Sequence, residues 1–224
     1  MKEIAKFITV EGIDGSGKST FIPIIQQMLV ERGEDVILTR EPGGTPLAEE
    51  LRDQILNKPM DKTTELLLAF AARNENIQDV IKPTLESGKT VLCDRFTDST
   101  YAYQVSGHDV PFEYAEVLEH MVQKTLKPGL TIIFSVPTEV SRQRLDSTGK
   151  IPDKFESKSP EFFQKVIDGY EAVAQRDPER CKIVDSSRGI EYTKQQVIKI
   201  MEQFFMKLDA QEECKTKKKN KNSI

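Results

Sequence analysis

The chain has 224 residues, 38% of them hydrophobic, and a formal net charge of −4. That length can bury the core of one α/β domain without disulfide staples, and mild acidity with no basic face in the body gives no support for a stable nucleic-acid partner. Three cysteines, Cys93, Cys181 and Cys214, are odd in number and lack C-x-x-C spacing, and no apolar run nears the ~20 residues that span a bilayer, so a soluble, cytoplasmic protein is expected.

Short apolar runs alternate with longer amphipathic ones, the pattern of βαβ units and a parallel sheet. The first expected strand, Ile4–Val10, leads into Gly12-Ile13-Asp14-Gly15-Ser16-Gly17-Lys18-Ser19-Thr20 and an expected helix over Ser19–Arg32. This is the phosphate-binding pattern G-x-x-x-x-G-K-[ST] in its required place between strand and helix. Its glycines let successive N–H groups turn toward a phosphate, and the following helix adds its positive dipole end. Lys18 supplies a point charge for the β/γ-phosphates, and the Ser19 hydroxyl can ligate Mg²⁺.

A second strand, Asp35–Thr39, runs into Arg40-Glu41-Pro42-Gly43-Gly44-Thr45-Pro46, a rigid turn bordering the same crevice. Arg40 is either placed to meet an anion there or is a surface charge beside a turn. Helices are expected over Leu47–Leu56 and Thr63–Ser87. The strand Thr90–Cys93 ends in Asp94, an acid at a strand's carboxyl end that can hold Mg²⁺ directly or through water. Arg95 and the polar, aromatic stretch Phe96 to Gln104 follow. The alternative for Asp94 and Arg95 is a helix cap and its surface partner.

Helices Phe112–Lys127 and Thr138–Leu145 flank a fourth strand, Leu130–Val136. Residues Asp146 to Ser159 are polar and rich in turn formers, which predicts an exposed, mobile loop. Helix Pro160–Arg176, strand Cys181–Val184 and helix Thr193–Leu208 complete one domain over 1–208. The Lys-rich tail over 209–224 is expected to have no fixed structure. His108 and His120 sit in no motif and read as surface residues.

The segments GIDGSGKST, REPGGTPLAEELR, LLLAFAARNENIQDVIKP and DRFTDSTYAYQ, in this order, resemble the bacterial type of thymidylate kinase, a P-loop nucleoside monophosphate kinase family. The likeness runs from Lys6 to about Phe205. It implies a three-layer P-loop kinase fold with a five-stranded parallel sheet flanked by helices. It also implies transfer of phosphate from ATP with Mg²⁺ to dTMP, giving dTDP for dTTP synthesis, in a homodimer.

By the same resemblance, Arg73 meets thymine O4, and Thr100 and Gln104 meet the base edge. Arg95 and Arg40 hold the dTMP phosphate, Arg52 and Glu41 line the acceptor site, and Asp14 lies near the sugar 3′-OH, unless it only shapes the loop. The family's stacking aromatic corresponds to Ala69. Phe70, one ~100° helical step away, either stacks on thymine or belongs to the core. The loop after Leu145 corresponds to the family's lid. With no basic residue between Gly12 and Gly17, the catalytic cation is expected from Arg142, Arg144, Lys150 or Lys154, or these form a solvated basic loop. The Arg188 position corresponds to a contact with adenine.

Other chemistries fit less well. Asn57-Lys58-Pro59-Met60 lacks the Asp of a guanine-reading N-K-x-D. A deoxynucleoside kinase needs a general base for a neutral hydroxyl, and Glu11 is the candidate.

Overall fold

The computed structural model describes residues 5–147, 149 and 153–221, with 215–221 described by backbone alone. Ile4, the expected start of the first strand, and Lys150, one of the lid cations, lie outside the described residues. Five strands form one parallel sheet in the order β2-β3-β1-β4-β5, with β1 at Phe7–Glu11, β2 at Val36–Arg40, β3 at Thr90–Asp94, β4 at Leu130–Ser135 and β5 at Cys181–Asp185. β1 is central and buried along its whole length. It pairs Val10 with Asp94 on one side and with Ile132 on the other. The edge strands β2 and β5 expose Leu38 and Ile183, so they alternate where the central strands read as continuous apolar runs.

Alternation along β1 divides the core. Ile8 and Val10 pack with Phe21, Ile25 and Leu29 of α1 (Lys18–Glu31) and with Val197, Met201 and Phe204 of α9 (Ile190–Lys221). Phe7 points to the opposite face, against Ile77, Ile81 and Phe96. Helix α2 spans Pro46–Asn57 and α3 spans Lys62–Asn76. The expected single helix over Thr63–Ser87 continues from α3 through a π-helical turn, Ile77–Ile81, into α4, Lys82–Glu86. The aromatic cluster after Arg95 is also helical, as α5 (Thr97–Thr100) and a π-helical segment, Tyr101–Gly107. Its apolar positions give no clean 3.6-residue period, which hides it in the sequence.

Helices α6 (Phe112–Gln123), α7 (Thr138–Asp146) and α8 (Pro160–Arg176) complete the layers. Two expectations differ from what is seen. Helix α9 runs on to Lys221, through most of the tail for which no fixed structure is expected. Pairs of Arg32 with Asp209 at 2.6 Å and of Lys6 with Glu212 at 3.4 Å anchor the first turns of that extension, and helix-favouring residues carry it onward. Beyond Arg142, the described part of the lid is a tied turn. Asp153 Oδ1 accepts from the N–H groups of Phe155 and Glu156 at 2.8 and 2.9 Å, and Phe155 is buried.

Candidate active site

The order of strands places the chain's switch point at β1, so the loops after β1 and β3 meet in one crevice at the carboxyl ends. Gly12 and Gly15 both have positive φ, at 133° and 73°. A Cβ at Gly12 would enter the Phe134 carbonyl of β4, and one at Gly15 would lie 2.7 Å from the Ser141 carbonyl of α7. Only glycine lets the loop pass this close to its neighbours. Ser141 Oγ donates to the Asp14 carbonyl at 2.6 Å and holds the loop from the α7 side.

Lys18 Nζ donates to the carbonyls of Gly12 and Ile13 at 2.9 and 3.1 Å. Burial, and then the positive charge of Arg95, lower its pKa from the ordinary lysine value. Ser19 and Thr20 are exposed on the first turn of α1. From the last turn of α7, Arg144 donates through Nη1 to the Gly15 carbonyl at 3.1 Å and through Nη2 to the Ser186 carbonyl at 2.7 Å. Among the described lid-side cations, it is the one that the fold brings against the P-loop.

Lys154 goes elsewhere. Its Nζ lies 2.5 Å from Glu65 Oε2 and donates to the Ile55 carbonyl at 3.3 Å, on the α2–α3 side of the site. Arg142 is spent on the carbonyls of Glu156 and Lys158. The expectation that Lys154 shares the P-loop's charge is therefore corrected: a buried carboxylate on α3 captures it, because an unpaired buried charge is costly.

The turn after β3 sends Arg95 back across the crevice. Arg95 has φ of 70°, unusual for a side-chain-bearing residue. Its Nη2 donates to Asp14 Oδ1 at 2.7 Å, and its Nη1 to the Gly12 carbonyl at 2.9 Å and to the Tyr170 hydroxyl at 3.1 Å. Burial alone would raise the Asp14 carboxyl, but the charges of Arg95 and Lys18 outweigh it and pull it down to about 2. Asp14 thus stays ionised. Glu11 lies beneath, fully buried, where burial and then the charge of Asp98 push its carboxyl up to about 7. Both its oxygens are engaged: Oε1 accepts from the Phe96 N–H, and Oε2 accepts from the hydroxyls of Ser99 and Tyr170.

Next to Arg95 opens a cavity bordered by Asp14, Arg52, Ala69, Arg73, Thr100 and Gln104 among others. Arg52 donates to the Pro42 carbonyl at 2.9 Å, and burial together with the charges of Arg40 and Arg95 lowers its pKa. Mutually repelling guanidinium groups at one end of a cavity favour an anion between them.

The same cavity is lined by Arg73, 3% exposed. Its Nε donates to Glu41 Oε2 at 2.6 Å and its Nη2 to Thr100 Oγ1 at 3.0 Å. Nη1 is buried with no hydrogen-bond partner among the described residues. Glu41 also accepts from Asn76 Nδ2 at 3.1 Å, and burial raises its carboxyl despite Arg73. The rings of Phe70 and Phe96 lie 4.7 and 5.2 Å from the Arg73 guanidinium carbon.

Three expected site residues are not brought in. Phe70 is 1% exposed in the core, under Arg73, and Ala69 takes the cavity-lining position. The ~100° step between neighbours on a helix cannot put both on one wall. Arg40 is 54% exposed and makes a two-pronged pair with Glu49 at 3.1 and 2.7 Å, outside the cavity lining. Arg188 is 69% exposed, paired with Asp185 at 3.2 Å and lying over the Tyr192 ring.

Conversely, Ser99 and Tyr103, from the polar, aromatic stretch after Arg95, and Tyr170, which no motif announces, surround Arg95. His108, read as a surface residue, packs against Phe162 with ring centroids 4.9 Å apart, and its Nδ1 lies 3.1 Å from Glu65 Oε1. Only the Glu65 carboxylate on the adjacent helix explains why a histidine is held there.

The donor set fits a divalent ion of the Mg²⁺ type. Asp94 Oδ1 is buried with no hydrogen-bond partner among the described residues. The described residues hold no cluster of three or more His, Cys, Asp or Glu side chains that could hold a metal by themselves. One carboxylate completed by phosphate oxygens and water is how Mg²⁺ is usually bound.

Comparison with known proteins agrees with this arrangement. A family described as Thymidylate kinase matches residues 10–197. The thymidylate kinase of Methylobacillus flagellatus is 47% identical over 199 residues, covering 89% of this chain and 98% of that protein. The one from Cupriavidus taiwanensis is 48% identical over 198 residues, covering 88% and 97%. The crystal structure of thymidylate kinase from Ehrlichia chaffeensis superimposes with a TM-score of 0.71 at 35% identity, covering 88% of this chain and 97% of that one. A P-loop facing an arginine-walled cavity, matched in sequence over nearly the whole chain, makes this protein a member of the thymidylate kinase family.

Proposed function

We infer that this chain transfers the terminal phosphoryl group of ATP to dTMP, giving ADP and dTDP. The observation that carries this is Arg95, whose single guanidinium touches the P-loop through Gly12 and Asp14 and also lines the acceptor cavity. A group so placed can neutralise charge between donor and acceptor phosphates. Arg52 assists at the acceptor phosphate. Asp14, ionised, accepts the sugar 3′-hydroxyl. Arg73, with Thr100 and Gln104, reads the base edge. The P-loop N–H groups and Lys18 hold the ATP phosphates, and Asp94 with Ser19 would hold Mg²⁺, which when bound offsets negative charge on those phosphates.

The acceptor phosphate is already anionic, so no side chain has to remove a proton before attack. Catalysis reduces to alignment and charge neutralisation. A kinase acting on a neutral nucleoside hydroxyl would need a free base, and the Glu11 oxygens are occupied by Phe96, Ser99 and Tyr170. Coupled ADP release measured on a panel of nucleoside monophosphates and on thymidine tests the reading. Turnover confined to dTMP supports it, and equal turnover on thymidine overturns it.

Arg144 is the catalytic cation of the lid side. In the same assay, Arg144→Ala is expected to lower kcat about 10²- to 10³-fold, the usual loss for one preorganised donor, while Lys154→Ala lowers it less than tenfold. The reverse ranking overturns the assignment.

A homodimer fits the surface. Tyr114, Val117 and Met121 follow one another at helical spacing on α6, all at least half exposed, with Leu67 exposed on the neighbouring α3. Such a stripe favours burial against a second copy. Light scattering is expected to give twice the 25.4 kDa chain mass, and Val117→Asp with Met121→Lys is expected to give the single-chain mass. Among the described residues no helix is long and apolar enough to cross a membrane, and with the unpaired cysteines this supports a cytoplasmic enzyme.

A further inference from the structure

Glu65 lies on α3, 1% exposed, with no place in any motif. Its Oε1 accepts from Gln104 Nε2 at 2.9 Å, and its Oε2 lies 2.5 Å from Lys154 Nζ. Burial alone would raise this carboxyl, but the neighbouring His108, Lys154 and Gln104 donors hold it down at about 2. It therefore carries no proton to donate. A side-chain amide can meet such a group only through its NH₂, so the orientation of Gln104 is dictated by its partner's chemistry.

We propose that Glu65 is a positioning residue for base selection: by holding the Gln104 NH₂, it leaves Gln104 Oε1 as the amide atom that meets the base in the acceptor cavity. The proposal rests on the dTMP reading above. Gln104 borders the cavity together with Arg73, whose Nη1 has no partner among the described residues. The two residues thus offer one acceptor and one donor. Thymine presents the complement, a ring N3–H and a 4-oxo group. Cytosine presents the inverse at both positions, a bare ring nitrogen and an amino group, and would leave buried groups unpaired.

Glu65→Gln keeps the size of the side chain but removes the constraint. Its own NH₂ can donate to Gln104 Oε1, and the Gln104 amide is free to turn over. The variant is expected to raise the KM for dTMP about tenfold with kcat within about threefold and the KM for ATP unchanged. The ratio of kcat/KM for dTMP over dCMP is expected to fall at least tenfold. In a Gln104→Ala background, the same substitution is expected to change that ratio less than twofold, because the group being positioned is gone. An unchanged ratio in Glu65→Gln, or an equal fall in both backgrounds, overturns the proposal.

A measurement on the wild-type enzyme with dTMP bound needs no variant. With isotope-labelled enzyme and dTMP, a scalar coupling through the hydrogen bond from thymine N3 to the Gln104 side-chain carbonyl carbon is expected, and its absence would overturn the proposal. Wild-type turnover on dTMP separates the two levels. Its absence refutes the acceptor assignment itself, whereas its presence with unaltered selectivity in Glu65→Gln refutes only the role given to Glu65.

Discussion

Replacing Lys18 with alanine is expected to lower kcat by about 10³-fold or more while the protein still melts cooperatively near the wild-type temperature. The two effects separate because of what Lys18 touches. Its ammonium is buried and bonded to two loop carbonyls, Gly12 and Ile13, and lies 3.8 Å from Asp14. Removing it loses two hydrogen bonds, at about 1–3 kcal/mol, while Arg95 Nη1 still donates to the Gly12 carbonyl and the Ser16 N–H to that of Ile13. It also removes the cost of burying a cation beside Arg95, the effect that lowers its pKa, so the two contributions oppose. Turnover has no such offset, since no other side chain stands in the same place in the loop. ADP release and a thermal melt on the same preparation check both halves, and wild-type-like turnover would refute the P-loop assignment.

The second large effect is expected at Arg73. Arg73→Ala should raise the KM for dTMP about 10²-fold and leave that for ATP within about threefold, because Arg73 lines the acceptor cavity and bonds Glu41 and Thr100 rather than the loop. It should also destabilise the fold by about 3–5 kcal/mol at neutral pH, since Glu41 is left buried with Asn76 alone. The sign of the pH dependence follows from Glu41, whose carboxyl is already raised by burial. A raised folded-state value favours the neutral form, so the variant's deficit should be largest at neutral pH and shrink as pH falls toward the ordinary carboxylate range. Adding Glu41→Gln removes the stranded charge and should restore stability without restoring the KM. Equal KM changes for both substrates, or a KM recovered together with stability, would sink the placement of Arg73 at the base.

Much of this was legible in the residues alone. The P-loop, Asp94 and Arg95 are local patterns, written within a few residues of a strand end, and backbone geometry then leaves little choice about where they point. The βαβ alternation likewise implied the parallel sheet. What lay beyond reach depended on contacts between distant segments. Lys154 and Arg144 are both basic lid candidates in the sequence. Only the buried Glu65 on α3 and the carbonyls of Gly15 and Ser186 decide that one is captured and the other reaches the loop.

Phe70 and Ala69 differ by one helical step, and the rotation of α3, which buries Phe70 in the core beneath Arg73, settles which lines the cavity. Arg40 followed an anion-binding pattern but sits on the edge strand β2, where Glu49 is the nearer charge. Ser99 and Tyr103 reach Arg95 from four and eight residues along the chain, but Tyr170 comes from α8, 75 residues away, with no sequence spacing to reveal it. The same holds for the tail: its composition pointed to no fixed structure, but ion pairs from Asp209 and Glu212 to residues near the amino end of the chain extend α9.

By itself, then, the sequence determined the sheet, the phosphate loop and the acid and arginine at the end of β3, because these depend on periodicity and on neighbours along the chain. The tertiary structure decided which of the described lid-side cations lies against the loop, which helical residue lines the cavity, and which carboxylate the Gln104 amide meets. Those outcomes rest on the burial of charge, and a buried charge takes whichever partner the packing brings within reach, regardless of its distance in sequence.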